Sequence, residues 1–277
     1  MIAVPADLLV ELAALLKERV GLHIRQDSFS ALRIAVAARL EEQEAPPANG
    51  AYVALLRSEK GDDELRRLLP LVTVGKTNFF RDERQFRALE ALLPPLLSRV
   101  RGGGRRLAMC SAGCATGEEP YSLAMALLSR LPPEWRLEIL ATDLSTKALR
   151  QAKSGVYPMA RLADVPEALR RRYLLRGVGG QSGKFRVGAE LQRVVAFRRE
   201  NLLEEPASAR ARFDLVLCRN VLMYFRPETR RAVVERLVER LAPAGHFCVG
   251  HSESLHGFDG RLRTVIPTVY QHCGEPR

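Results

Sequence analysis

The chain has 277 residues, 43 of them Lys or Arg against 32 Asp or Glu, for a formal charge of +11. Hydrophobic residues at 47% and charged residues at 27% are the proportions of a folded globular protein and exclude extended disorder. Apolar runs such as LLPPLL at 92–97 are far too short to cross a bilayer, so no membrane span is expected.

Five cysteines, Cys110, Cys114, Cys218, Cys248 and Cys273, are odd in number and never spaced as CxxC. Neither a disulfide framework nor a zinc or other metal site is expected. The first twenty residues contain acids and lack a basic stretch leading to a cleavage site, so no signal peptide is expected and a cytoplasmic location is the default. The charge is uneven: residues 1–70 hold 9 basic and 11 acidic side chains, residues 71–277 hold 34 and 21. A surface of that kind suits a polyanion, an anionic lipid face or an acidic protein partner.

Residues 1–72 read as an all-α unit. Leu8, Leu12, Leu15 and Leu16 recur at helical spacing, and Asp27 and Ser28 can cap a second helix carrying Phe29, Leu32, Val36 and Leu40. Pro46, Pro47, Asn49 and Gly50 break it, and two shorter helical segments follow. Lys17, Arg19, Arg25, Arg33 and Arg39 outweigh Glu18 and Asp27, which makes a basic helix face that either guides an acidic substrate or is simply solvated.

Residues 73–277 read as a second domain. A helix from Asp82 towards Val100 is expected to kink at Pro94–Pro95. After the glycine loop 101–104 the pattern becomes strand (106–112), turn, helix (118–131), strand (137–143) and helix (145–153). Strands at 194–201, 213–220, 246–252 and 264–272 and a helix at 227–241 continue it. Such alternation predicts a parallel, doubly wound α/β sheet. Residues 173–193, with Gly177, Gly179, Gly180 and Gly183 and a short FRV alternation, predict a small antiparallel insertion.

Four segments carry chemistry. SAGCATGEE at 111–119 is a glycine turn between a strand and a helix. Such turns let backbone approach a ligand, but Glu118 and Glu119 stand where a pyrophosphate would need positive potential. They favour a cationic nucleoside, or they merely complement the helix dipole. Asp143, ending the next strand, is placed to accept ribose hydroxyls or to cap a helix. Together the two describe a nucleoside site without a phosphate grip, as S-adenosylmethionine requires. FDLVLCRNVLMYF at 213–225 puts Arg219 and Asn220 at the carboxyl end of an apolar strand, where open sheets bind ligands, with Tyr224 one turn on. TNFFR at 77–81 flanks two phenylalanines with Thr77 and Arg81 at the domain junction.

These segments, with ATDLSTKALRQAKSGVYP at 141–158, ENLL at 200–203 and GHSESL at 250–255, resemble the CheR-type chemoreceptor glutamate O-methyltransferases, in the family's order and over nearly the whole chain. Gly75 and Asn78 depart from residues common in the family at those positions. The resemblance implies a Rossmann-like class I S-adenosylmethionine-dependent methyltransferase sheet with a small antiparallel β insertion, preceded by an all-α N-terminal domain. It implies S-adenosylmethionine as cofactor, S-adenosylhomocysteine as product and methyl esters on receptor glutamates. The partners it implies are cytoplasmic domains of methyl-accepting chemoreceptors; in some members the insertion docks a receptor's C-terminal tether. A monomer is expected, and no nucleic-acid partner.

Carried over residue by residue, it implies that Gly75, Thr77, Arg81, Gly113, Asp143, Asn201, Leu202, Cys218 and Arg219 belong to the cofactor site, together with Glu118 or, in preference, Glu119. Arg81 and Tyr224 face the reacting centre. Two alternatives stand beside this reading: a nucleic-acid methyltransferase, whose amine-modifying members carry an NPPY-like motif where this chain has Asn220–Val221–Leu222–Met223, and a non-catalytic receptor-binding descendant. A serine hydrolase from GHSES fails because its elbow needs glycine where Ser254 stands.

Overall fold

The computed structural model describes residues 2–24, 29–42, 49–58, 61–72, 77–99, 105–205, 211–255, 258 and 260–274. The proposed Asp27–Ser28 cap, Arg25, Pro46–Pro47, Gly75 and the glycine loop 101–104 lie outside the described residues.

Helices α1 (Ala6–Val20), α2 (Phe29–Glu41), α3 (Asn49–Arg57) and α4 (Gly61–Val72) share one apolar core. Leu8, Leu12, Leu15, Leu16, Leu32, Val36, Leu40, Leu56 and Leu68 fill it, as the 3.6-residue spacing requires. Gly21 ends α1 in the left-handed region, and a Cβ there would stand 2.7 Å from Leu203, so the chain leaves α1 pressed against the second half of the molecule.

The basic face expected on α1 and α2 is smaller than its sequence count. Arg39 is 4% exposed and points into the helical core. Its Nε and Nη2 donate to Glu64 Oε1 and Oε2 at 3.0 and 2.9 Å, and Tyr52 Oη donates to Glu64 Oε1 at 2.9 Å. The forked Glu64 carboxylate of α4 matches that guanidinium, whose Nη1 also donates to Glu42. Arg33 and Lys17 remain exposed.

The expected kinked helix is two helices, α5 (Glu83–Ala91) and α6 (Leu93–Arg99), separated at Leu92. Pro94 and Pro95 occupy the first turn of α6, where missing N–H groups cost least.

The main sheet comprises β1 (Arg106–Ala112), β2 (Arg136–Asp143), β6 (Val195–Arg199), β7 (Phe213–Cys218), β8 (Leu241–Val249), β9 (Leu262–Ile266) and β10 (Val269–His272). Its order is β6-β2-β1-β7-β8-β10-β9. The first five strands are parallel; β10 is antiparallel to both β8 and β9. The segment 264–272, expected as one strand, is therefore a hairpin. Pro267 supplies no N–H and Thr268 has φ 69°, so the ladder breaks there.

Helices α7 (Glu118–Leu128), α8 (Thr146–Ser154), α10 (Ala189–Val194) and α11 (Pro227–Glu239) follow or precede these strands, and apolar layers cover both sheet faces. The antiparallel insertion begins earlier than expected. Its sheet, β3-β5-β4, joins β3 (Val156–Pro158), β5 (Lys184–Val187) and β4 (Leu174–Arg176), with α9 (Glu167–Tyr173) between β3 and β4. Three residues, one of them proline, are too few to show a period, which is why β3 is invisible in the sequence.

Candidate functional site

A cavity of about 700 Å³ opens at the carboxyl edge of the parallel strands. The β1–α7 turn forms its floor. Gly113 N and Cys114 N donate to Thr142 O at 2.8 and 2.9 Å, Ala115 N to Asp143 Oδ2 at 2.8 Å, and Gly117 N to Cys114 O at 3.0 Å. Gly113 has φ 76°, and a Cβ there would lie 2.4 Å from Val221 Cγ2, so only glycine fits. Each of those four amides is already held by a protein acceptor. Those four amides are therefore not offered to a pyrophosphate.

The two glutamates of α7 point to different places. Glu119 lines the cavity; Ser111 Oγ donates to its Oε1 at 2.7 Å, and Arg219 Nη1 to its Oε2 at 3.0 Å. Glu118 is buried away from the cavity, takes a 2.6 Å bond from Thr116 Oγ1 and sits 3.7 Å from Arg161 Nη1. Burial raises the Glu118 carboxyl above its ordinary value, partly offset by Thr116 and its own backbone.

Asp143 ends β2 on the cavity wall, and Ser145 N donates to its Oδ1 at 2.8 Å. Burial raises its carboxyl, while the amides of Ser145, Ala115 and Leu144 pull it part of the way back. With three amides on a carboxylate of about four lone-pair sites, room remains for a ligand hydroxyl.

Thr77, Arg81, Asn201, Leu202, Arg219 and Tyr224 line the same cavity. Arg219 does so with a guanidinium already engaged: besides Glu119, its Nε donates to Gln85 Oε1 at 2.6 Å and its Nη2 to the Arg81 carbonyl. It thereby fixes the backbone of a segment in which Phe80 (φ 52°) and Asp82 (φ 66°) occupy the left-handed region. Ser122 Oγ accepts from Phe80 N at 2.8 Å, a second anchor on that segment. From the turn after β3, Arg161 donates to Thr77 O and Asn78 Oδ1, and Tyr157 and Phe185 of the small sheet pack on Phe79 at 5.1 and 5.6 Å between ring centroids. Burial raises the Tyr224 hydroxyl; Arg81 lowers it and Glu253 raises it further.

Cys218 is placed differently from its neighbour. Side chains alternate along β7, so Leu217 and Cys218 enter opposite layers, and Cys218 is sealed against Cys110 and Val233 without reaching the cavity. Burial pushes the Cys110 and Cys248 thiols up to about 12 and Cys218 well above its usual value, so these are inert core thiols. Asn220, not Cys218, continues the wall beyond Arg219. Val20, Leu22, Leu69 and Leu71 from the helical part also line it, and no periodicity announces that. Half-buried Leu144 and Tyr224 pack on the helical core, and His23 N donates to Tyr224 O at 2.8 Å.

A cavity of this size, with largely apolar walls and three carboxylates, Glu119, Asp143 and Glu200, fits an adenosyl sulfonium: Asp143 suits the ribose hydroxyls and Glu119 the cationic end.

Known proteins agree with that chemistry. Residues 75–270 match the family described as CheR methyltransferase, SAM binding domain. The chain is 40% identical over 223 residues to chemotaxis protein methyltransferase 2 of Pseudomonas aeruginosa, covering 79% of this chain and 76% of that one. It is 34% identical over 224 residues to the chemotaxis protein methyltransferase of Escherichia coli (80% and 75%), and 32% identical over 248 residues to a probable chemotaxis protein methyltransferase of Rhizobium etli (88% and 85%). No helix among the described residues is long and apolar enough to cross a membrane. The chain belongs to the CheR methyltransferase family, and it is an S-adenosylmethionine-dependent methyltransferase.

Proposed function

We propose that this enzyme methylates glutamate side chains of chemoreceptor cytoplasmic domains, giving methyl esters that adapt a chemotaxis-type signal. The observation that carries the reading is the convergence of Asp143, Glu119, Arg81 and Tyr224 on one cavity whose glycine turn already spends four of its amides on protein acceptors.

A glutamate carboxylate has an ordinary pKa of about 4.3 and is ionised near neutral pH, so no general base is required. When bound, S-adenosylmethionine supplies a sulfonium-activated methyl group that the carboxylate oxygen takes up without any proton transfer. The protein's part is to desolvate and align that oxygen. Arg81 orients the carboxylate, and the Tyr224 hydroxyl donates to its non-attacking oxygen. Asp143 holds the ribose, Glu119 the ammonium end of the methionine, and Asn201 and Leu202 border the adenine. Thr77 and Gly113 complete the floor. Val20, Leu22, Leu69 and Leu71 exclude water from above.

The helical unit 1–72 faces the receptor, with Lys17 and Arg33 among its exposed cations. The small sheet takes a receptor's C-terminal tether along β4 and the loop after it, where Leu175 and Val178 are 61% and 81% exposed. The enzyme works as a monomer in the cytoplasm.

Incubation with methyl-labelled S-adenosylmethionine and a panel of receptor cytoplasmic fragments tests the assignment. Base-labile label on receptor glutamates is expected. Base-stable label, or label on RNA or DNA instead, would overturn it.

A further inference from the structure

The GHSES segment has no role in the chemistry derived above, yet its glutamate is buried beside the cavity wall. Glu253 is 8% exposed. Its Oε2 accepts from Asn220 N at 2.8 Å and Gly250 N at 2.7 Å, and its Oε1 accepts from Met223 N at 3.1 Å. One carboxylate therefore holds three backbone amides from two crossover loops.

Those amides need such a partner. After β7 the chain turns through Asn220 at φ 60° and a single 3₁₀ turn, Leu222–Tyr224, so its first amides have no ladder or helix to join. A charged acceptor holds amides more tightly than a neutral one. Gly250 shares the arrangement: a Cβ there would stand 2.7 Å from Glu253 Oε2 and 2.8 Å from both Asn220 N and Asn220 Nδ2. The glycine and the glutamate three residues later thus form one cup around Asn220.

The held segment is the cavity wall. Asn220, Val221, Met223, Tyr224 and Phe225 all line the cavity, and Asn220's side-chain amide has no hydrogen-bond partner among the described residues. We infer that Glu253 is a positioning residue: through three backbone amides it sets the Asn220–Tyr224 wall so that the Asn220 amide meets the adenosyl ligand and Tyr224 meets the target carboxylate. This rests on the assignment of S-adenosylmethionine to the cavity.

Calorimetric titration of the full chain with S-adenosylhomocysteine tests it. Glu253→Gln turns one acceptor into a donor facing those amides and is expected to weaken binding about tenfold. Asn220→Gly keeps the left-handed backbone but removes the amide, and weakens binding by a similar factor. If Glu253 acts through Asn220, the double variant binds within about twofold of the weaker single one, because coupled residues are not additive. Factors that multiply, or an unchanged Kd in Glu253→Gln, would overturn the inference while leaving the cofactor assignment intact. Failure of the unaltered chain to bind would overturn both. Hydrogen exchange on the unaltered chain needs no variant: the Asn220 and Met223 amides should be protected before ligand is added, and unprotected amides would refute the inference even if Glu253→Gln did not fold.

Discussion

Arg219 Nη1 lies 3.0 Å from Glu119 Oε2, and this pair joins the carboxyl end of β7 to the first turn of α7 across the cavity floor. The two side chains are 2% and 13% exposed, so little water competes with the bond. The same guanidinium holds Gln85 and the Arg81 carbonyl, which ties three cavity walls to one cation.

Arg219→Met should therefore do more than remove a charge. It leaves Glu119 without its cation and should cost about 3–5 kcal/mol of unfolding free energy, read from urea denaturation. S-adenosylhomocysteine binding should fall with it, and Arg219→Lys should not restore it, since the three donors of an ammonium sit on one nitrogen and cannot span the acceptors that Nε, Nη1 and Nη2 reach separately. Full affinity in the lysine variant would refute the bridging role.

Asp143 gives opposite pH signatures for stability and for binding. Its folded pKa is raised, so between the ordinary aspartate value and the raised one the folded chain binds more protons than the unfolded chain. In that window its contribution to stability falls as pH rises. Ligand hydroxyls need the carboxylate, so S-adenosylhomocysteine affinity should fall as pH drops through the raised value. Asp143→Asn should flatten both profiles and weaken binding near neutral pH about tenfold. An affinity profile unchanged in Asp143→Asn would exclude Asp143 as the titrating group.

Arg81 and Tyr224 should separate chemistry from binding. Arg81→Ala should lower kcat about 100-fold through misalignment of the carboxylate. Tyr224→Phe should lower it about tenfold while the Kd for S-adenosylhomocysteine stays within about twofold. Unchanged ester formation in both variants would remove them from the reacting centre.

The helical part offers a stability test. Arg39→Ala leaves the buried Glu64 carboxylate with Tyr52 but without its cation and should cost about 3–5 kcal/mol, whereas exposed Arg33→Ala should stay within about 0.5 kcal/mol. If the two behave alike in urea denaturation, the Arg39–Glu64 pair carries no stability.

Much of this was legible in the residues. The central strands β1 and β7 announced themselves because strands buried on both faces are continuous apolar runs, and β1, 106–112, was delimited to the residue. Asp143, Gly113 and the Glu118–Glu119 pair were legible because short-range turn chemistry specifies them locally. The terminal hairpin and β3 were not: each depends on which distant strand accepts its amides. The choice between Glu118 and Glu119 likewise turned on partners far along the chain, Arg161 for one and Arg219 for the other.

Local information thus carried the order of elements, the glycine turn and the acids at the strand ends, because these follow from backbone sterics and side-chain period within a few residues. Three-dimensional closure alone decided that Arg39 is a core residue, that Arg219 braces the floor, that Cys218 is sealed away from it, and that helical leucines roof the cavity. Those outcomes are settled by desolvation: a charge removed from water must find its counterpart wherever the folded chain places one, and no spacing rule reaches across a hundred residues to say where that is.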